Sequence, residues 1–397
     1  MGDRLRAHQA TVAFYVAHLL SSLGFEFAFF VMTLHVYGKR GQASDVAIFS
    51  TLTFLPRLFA PLLGTLVDRF PQERLFAAAL ALGAGLTVLL PFTRRELGPW
   101  TCIAILAVLF GLVRTTLLTR VAVDRGYLKG NSAMLVSLNA ARLGAPVAGA
   151  AAAACLTFRA SLFWAGTTFL VAALFAGRVK TTRTAEAQPR TRERFVPAFL
   201  KGFTELWRVD ELRFLFILSL VWRLFLGLQI SLFIVFIRRS LGGSDPDYGV
   251  FMTCVGLGSV SGSLAGPWLA RRVPAPLLVK AGMGLHFAMF IALSRITSLA
   301  AALLVATAGF SILYASVVAA HSLRDRIVPE ALRGRVFGAD TALLSIAGMA
   351  SMLAGGRLAD AHGVNAVFQS AGALSLLSLY ALHRLARPLE AGRRTEA

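Results

Sequence analysis

Seven ionisable residues stand inside long apolar stretches of this chain: Glu26, Arg57, Arg114, Arg142, Arg223, Lys280 and Asp340. His35 and His286 are further polar candidates in similar surroundings. A charge at the centre of a lipid bilayer costs at least about 2.5 to 3.5 kcal/mol unless it is paired or faces water, so such residues mark sites of chemistry. Five of the seven are basic, an excess that suits attraction of an anion, and a carboxyl group shielded from water suits uptake and release of a proton. Glu26, Arg57 and Arg223 fall near the middle of their stretches, whereas Arg114 and Asp340 lie nearer one end. Plainer roles stand beside these. Glu26 and Arg57, on consecutive stretches, can simply pair; Asp340 can bond to the start of its own helix or to Arg335; Lys280 can extend to the headgroups.

Composition sets the elements that must hold these residues. Of 397 residues, 56% are hydrophobic and 15% charged, and the mean hydropathy is +0.68. A soluble chain of this length carries about a quarter charged residues, so an ordinary soluble enzyme is excluded. A membrane-crossing helix needs roughly 20 apolar residues. Apolar runs bounded by charge, Gly and Pro predict helices at about 11–37, 45–67, 73–92, 99–119, 133–157 and 160–177. A second set is predicted at about 212–237, 247–269, 275–294, 298–320, 335–357 and 364–386. The expected fold is all-α and integral to the membrane: twelve transmembrane helices in two pseudo-symmetric six-helix bundles, residues 1–178 and 211–397, joined by a linker at 179–210.

The net charge of +20 would suggest nucleic acid in a soluble protein. Here Lys and Arg concentrate in alternate connections, outnumbering those in the others roughly threefold, as expected for loops retained in the cytoplasm. Both termini are therefore placed in the cytoplasm, the chain in the inner membrane, and no nucleic acid is expected. The first ten residues run into the first span without a small-residue cleavage site, which reads as an uncleaved signal anchor. In the linker, RVKTTRTAEAQPRTRERF is too polar to bury a core. After it, Phe199, Phe203, Leu206 and Trp207 recur at helical spacing beside Lys201, Glu205 and Arg208, predicting an amphipathic helix on the cytoplasmic leaflet or an extension of the seventh span. Cys102, Cys155 and Cys254 lack metal-ligand spacing and are expected to be buried small hydrophobes.

The halves echo each other. Gly64-Thr65-Leu66-Val67-Asp68-Arg69 ends the second span and Gly266-Pro267-Trp268-Leu269-Ala270-Arg271 the eighth; GAPVAG from Gly144 faces ASMLAG from Ala350. Duplicated bundles place a binding site at mid-membrane. Gly258, Gly262 and Gly266 are four apart, the spacing for close helix packing, and no strand or acid supports a dinucleotide loop there. GxSxG, HExxH and EF-hand patterns are absent, so neither an enzyme nor a cofactor or metal is expected.

The connection GTLVDRFPQER resembles the signature of the major facilitator superfamily, Gly-x-Leu-x-Asp-Arg followed by x-Gly-Arg and a further base. Gly64, Leu66, Asp68 and Arg69 match; Pro71, Gln72 and Glu73 depart from it, and Arg74 restores a positive charge. VPEALRGRVFG, AGGRLADAHG and LKGFTELWRVDELRF are similar to the corresponding parts of bacterial drug and siderophore exporters in that family. Lysophospholipid transporters share much of the plan. The resemblance implies that spans 1, 2, 4, 5, 7, 8, 10 and 11 surround a central cavity, and that Gly64, Asp68, Arg69 and Arg74 act in gating. It also implies a proton-coupled exporter of a small organic anion or amphiphile, with inward lysophospholipid transport as the alternative. A membrane enzyme or a scaffold without transport is the reading from another class. Glu26 and Asp340 are the candidate proton-coupling carboxylates, and Arg57, Arg114, Arg142 and Arg223 the candidate substrate-binding residues. The partners expected are a small-molecule substrate, protons and the lipid bilayer, around a monomeric chain.

Overall fold

A computed structural model describes residues 2–59, 70–93, 97–121, 127–179, 204, 207–208, 210–327 and 333–392. Gly64, Asp68, Arg69 and most of the linker lie outside the described residues. The described residues form twelve α-helices and no strand. They are α1 (Gly2–Arg40), α2 (Ala43–Phe54), α3 (Gln72–Leu89), α4 (Leu97–Val121), α5 (Tyr127–Cys155) and α6 (Phe158–Ala176), then α7 (Asp210–Val235), α8 (Asp245–Leu269), α9 (Ala275–Leu293), α10 (Leu299–Ile327), α11 (Arg333–His362) and α12 (Val364–Gly392). Among the described residues, α1, α3 and α6 to α12 contain segments long and apolar enough to cross a bilayer. In α4 the apolar segment is shorter, Trp100–Val113.

Several helices outrun their apolar cores, α5 starting at Tyr127 and α10 ending at Ile327. Apolarity marks the part of a helix in lipid, whereas backbone hydrogen bonding continues through the headgroups. Local chemistry sets other boundaries. Pro56 lacks the N–H that would bond back along α2, and the chain tightens there into a 3-10 turn, Leu55–Phe59. Thr157 begins α6 as a cap, its hydroxyl accepting from the Ala160 N–H at 3.3 Å.

The helices cluster into two compact units. The first comprises Met1–Arg40, Thr51–Arg192 and Asp245–Thr253; the second comprises Gly41–Ser50, Glu193–Ser244 and Cys254–Ala397. In the first, Phe14 and Ala17 of α1, Phe76 and Leu80 of α3, and Phe169 and Ala172 of α6 make a buried core. The second is built around aromatic rings. Phe290 of α9 meets Phe225 of α7 and Phe368 of α12 edge to face, with centroids 4.5 and 4.9 Å apart. Here α8 lies directly against α10, because a Cβ on Gly258 or Gly262 would strike the carbonyl oxygens of Thr307 and Ser311. The four-residue glycine spacing thus does serve close packing.

Large apolar side chains also cover the outside: Leu264 is 76% exposed, Leu304 73% and Leu374 66%. Such a surface is stable in lipid and a liability in water. The cysteines share it. Cys102 and Cys155 are exposed and Cys254 is half-buried, which corrects the expectation that all three are buried. Lipid solvates a thiol-bearing side chain well enough that nothing forces it inward.

Candidate functional site

In the first unit, α1 and α5 bring Glu26 and Arg142 together, Oε1 to Nε at 3.5 Å. Two contacts hold these helices in register around the pair. On one side, His18 of α1 is fully buried and its Nε2 donates to the Met134 carbonyl of α5 at 3.0 Å. A carbonyl can only accept, so Nε2 carries the hydrogen and Nδ1 is left to accept from the Ser22 hydroxyl at 3.2 Å. On the other side, Gly149 of α5 leaves space that the ring of Phe30 fills. The side chains of Glu26 and Arg142 are 29% and 48% exposed. Within helices that cross lipid, half-open charges of this kind require water beside them.

Glu26 therefore pairs with Arg142 and not with Arg57. Arg57 stands in the 3-10 turn after Pro56, exposed, with its guanidinium 4.2 Å above the Phe54 ring. Arg223, on α7 in the second unit, places its guanidinium 5.3 Å from the Trp222 ring and runs its stem beside Gly348 of α11. Asp340 of α11, in the same unit, is 4% exposed. Arg114 is carried by α4, with its side chain outside the described residues. Arg74 is exposed in the first turn of α3. Of the candidate residues, the described geometry joins Glu26 and Arg142. His35 stacks on Phe158, centroids 3.6 Å apart, and Lys280 lies 5.6 Å from the Phe214 ring.

Sequence reasoning missed the partner of His286. The side-chain amide of Gln229 on α7 donates to its Nε2 at 2.7 Å; both residues are buried, and the imidazole lies among the rings of Phe225, Phe290 and Phe310. The signal was the single Gln of α7, a polar residue near the middle of a mostly apolar span. It also missed Trp100, whose indole N–H donates to the Thr53 hydroxyl at 2.7 Å inside the first unit. A groove of about 560 Å³ in that unit, lined by Leu23, Phe27, Ala151, Cys155 and Trp164, contains no charged residue. No group of three or more His, Cys, Asp or Glu suited to a metal occurs among the described residues.

A helical membrane chain in two units, with an ion pair set inside its spans, is the frame of a transporter. The sequence profile of the Major Facilitator Superfamily matches residues 14–338 and 230–397, and the chain belongs to that family. It is 26% identical over 362 residues to the multidrug efflux pump Tap of Mycobacterium tuberculosis (strain ATCC 25618 / H37Rv), covering 86% of this chain and 84% of that protein. The Tap protein of Mycobacterium bovis (strain BCG / Pasteur 1173P2) shows the same identity and coverage. In fold, the chain is similar to the nucleoside transporter NupG, with a TM-score of 0.78, 11% identity and coverage of 94% and 98% of the two chains. It is also similar to a bacterial homologue of the human lysosomal transporter Spinster, with a TM-score of 0.73, 13% identity and coverage of 96% and 97%. The protein is a multi-pass membrane transporter of small molecules and not an enzyme.

Proposed function

We propose that this transporter exports an amphiphile by proton exchange, with Glu26 as the shared site for substrate and proton. The Glu26–Arg142 pair carries the reading, because its two members give opposite linkage. An anion that engages Arg142 frees Glu26 to take a proton, so anion and proton bind together and move the same way. A substrate with a cationic group competes with the proton for the Glu26 carboxylate, so each displaces the other. Exchange, the arrangement needed for export driven by an inward proton gradient, follows from the second case. The sequence suggested a small organic anion or an amphiphile; this linkage favours an amphiphile, and one with a positive headgroup rather than the anion that the basic excess suggested. The efflux pump Tap, a distant relative, supports the direction.

The cycle follows from this competition. Ionised Glu26 exchanges Arg142 for the cationic head on the side of low proton activity. On the acidic side a proton takes the same carboxylate oxygen, and the substrate leaves. Both termini face the cytoplasm of the inner membrane, as the Lys and Arg distribution supports. Asp68, with Gly64, Arg69 and Arg74, closes the cytoplasmic ends. Arg57, Arg114 and Arg223 remain candidate contacts for an anionic part of the amphiphile and not for its cationic head, Asp340 is the second carboxylate available for a proton, and the monomer is the working unit.

The test uses purified protein in liposomes with an imposed pH gradient and two fluorescent dyes, one cationic and amphiphilic, one anionic. The wild type is expected to move the cationic dye in a gradient-dependent manner, and Glu26→Gln, isosteric but unable to titrate, to lose that dependence. Wild-type gradient dependence in Glu26→Gln would leave Glu26 as a structural partner of Arg142 and shift the search to Asp340. Gradient-driven movement of the anionic dye together with protons would replace exchange by co-transport.

A further inference from the structure

The first turn of α2 is held by a carboxylate from α11. Asp360 accepts from the backbone N–H of Ala43 at 2.8 Å through Oδ1 and from that of Ser44 at 2.9 Å through Oδ2. The Ser44 hydroxyl adds a third bond to the same carboxylate. Arg239, in the π turn that follows α7, stands 3.4 Å from Oδ1 and donates to the Gly41 carbonyl. Gly41 makes the turn between α1 and α2 with φ +67°, a conformation L side chains rarely adopt. One helix turn before Asp360, Gly356 lets α11 lie against α2: a Cβ there would fall 2.6 Å from the Ala47 Cβ and 2.9 Å from the Ser44 Cα. The first N–H groups of a helix have no partner within it, and a carboxylate is the strongest ordinary acceptor for them.

The sequence repeats the spacing of these residues. Gly356-Arg357-Leu358-Ala359-Asp360 has the same Gly-x-Leu-x-Asp spacing as Gly64-Thr65-Leu66-Val67-Asp68. One copy follows α2 in sequence and the other ends α11; in the topology proposed above, the connection that holds Asp68 is cytoplasmic and the start of α2 external. Helix α2 is itself divided: residues up to Ser50 belong to the second unit and those from Thr51 to the first.

We propose that Asp360 is a positioning residue of the transport cycle: it clasps the first turn of α2 to α11, and the clasp must open each time the face opposite Asp68 opens. This rests on the alternating-access reading above but not on the identity of the substrate or on Glu26. Asp360 acts through α2 and touches no substrate. The two N–H bonds carry the effect, and the partly exposed Arg239 adds little.

The test measures the clasp itself. Gln42→Cys and Ala361→Cys, in a background lacking Cys102, Cys155 and Cys254, are spin-labelled in purified full-length protein in liposomes, without substrate or gradient. The distance distribution is then read by double electron–electron resonance. Two populations are expected, and Asp360→Ala should raise the longer relative to the shorter by about two- to thirtyfold, the range for losing a helix cap. Asp360→Asn, which keeps one acceptor oxygen, should fall between wild type and Asp360→Ala, and Arg239→Gln should change the ratio by about twofold or less. If Asp360→Ala proves unfolded by thermal melting, the Asp360→Asn ratio decides. Two populations insensitive to both Asp360 variants would overturn the clasp and leave alternating access standing. A single distance in the wild type and every variant would overturn both.

Discussion

Replacing Arg142 by alanine is expected to tighten binding of a cationic amphiphile, the opposite of what loss of an ordinary binding residue does. In the wild type the guanidinium occupies the carboxylate that the substrate needs. At the observed 3.5 Å, a pair of unit charges attracts by about 1.2 kcal/mol at the dielectric of water and about 5 kcal/mol at an effective value of 20. The side chains are 29% and 48% exposed, which places the pair toward the lower figure, at about 1 kcal/mol. Removing that competitor should lower the Kd for a cationic dye about fivefold at neutral pH. Glu26→Gln should raise it, and the double variant should match Glu26→Gln, because without the carboxylate Arg142 has nothing to mask. The assay is equilibrium dye binding by fluorescence anisotropy on purified protein, with an anionic dye as control. Weaker binding of the cation in Arg142→Ala, together with loss of the anionic dye, would refute the reasoning and assign Arg142 to direct capture of an anion.

Gly262→Val should destabilise the protein by about 1 to 3 kcal/mol, because the new side chain meets the Ser311 backbone, whereas Gly85→Ala, with open space around it, should be neutral or mildly stabilising; thermal unfolding in detergent compares them. Asp68→Asn should reduce transport with expression intact and shift the inward to outward ratio by a few-fold to about thirtyfold, as read by distance measurements at the cytoplasmic ends. A cysteine placed at Gln188 should resist impermeant reagents in intact cells while one at Asp245 reacts, and the reverse pattern would invert the topology. The native cysteines must be removed first, because Cys102 and Cys155 are exposed and Cys254 is half-buried.

The number and placement of the helices were legible because crossing lipid demands a run of about 20 apolar residues, a requirement written directly into composition. The glycine spacing of α8 was legible for a similar reason: close backbone approach admits few residue types. What faces lipid and what faces the core was not. Both environments are apolar, so Cys155 and Phe169 look alike in sequence, although the first is exposed and the second buried. The partner of Glu26 was hidden differently. Consecutive spans suggest consecutive neighbours, yet Glu26 meets Arg142 on α5, far along the chain. Asp360 closes an apolar run, where an acid reads as a boundary marker, and its hydrogen-bond partners are backbone groups that no residue type announces.

That last point bears on how this region can change over generations. Two of the bonds to Asp360 come from the amides of residues 43 and 44, which any amino acid except proline supplies. Substitution at those two positions has some latitude: both amide bonds survive it, although a change of Ser44 removes its hydroxyl bond and residue 43, buried as Ala43, must stay small. The α11 side has no such latitude, since Asp360 must keep its carboxylate and Gly356 its missing side chain. A family tree of this transporter should therefore show more change at residue 44 than at Gly356 or Asp360. Methods that seek interacting residues through correlated substitution would pass over it.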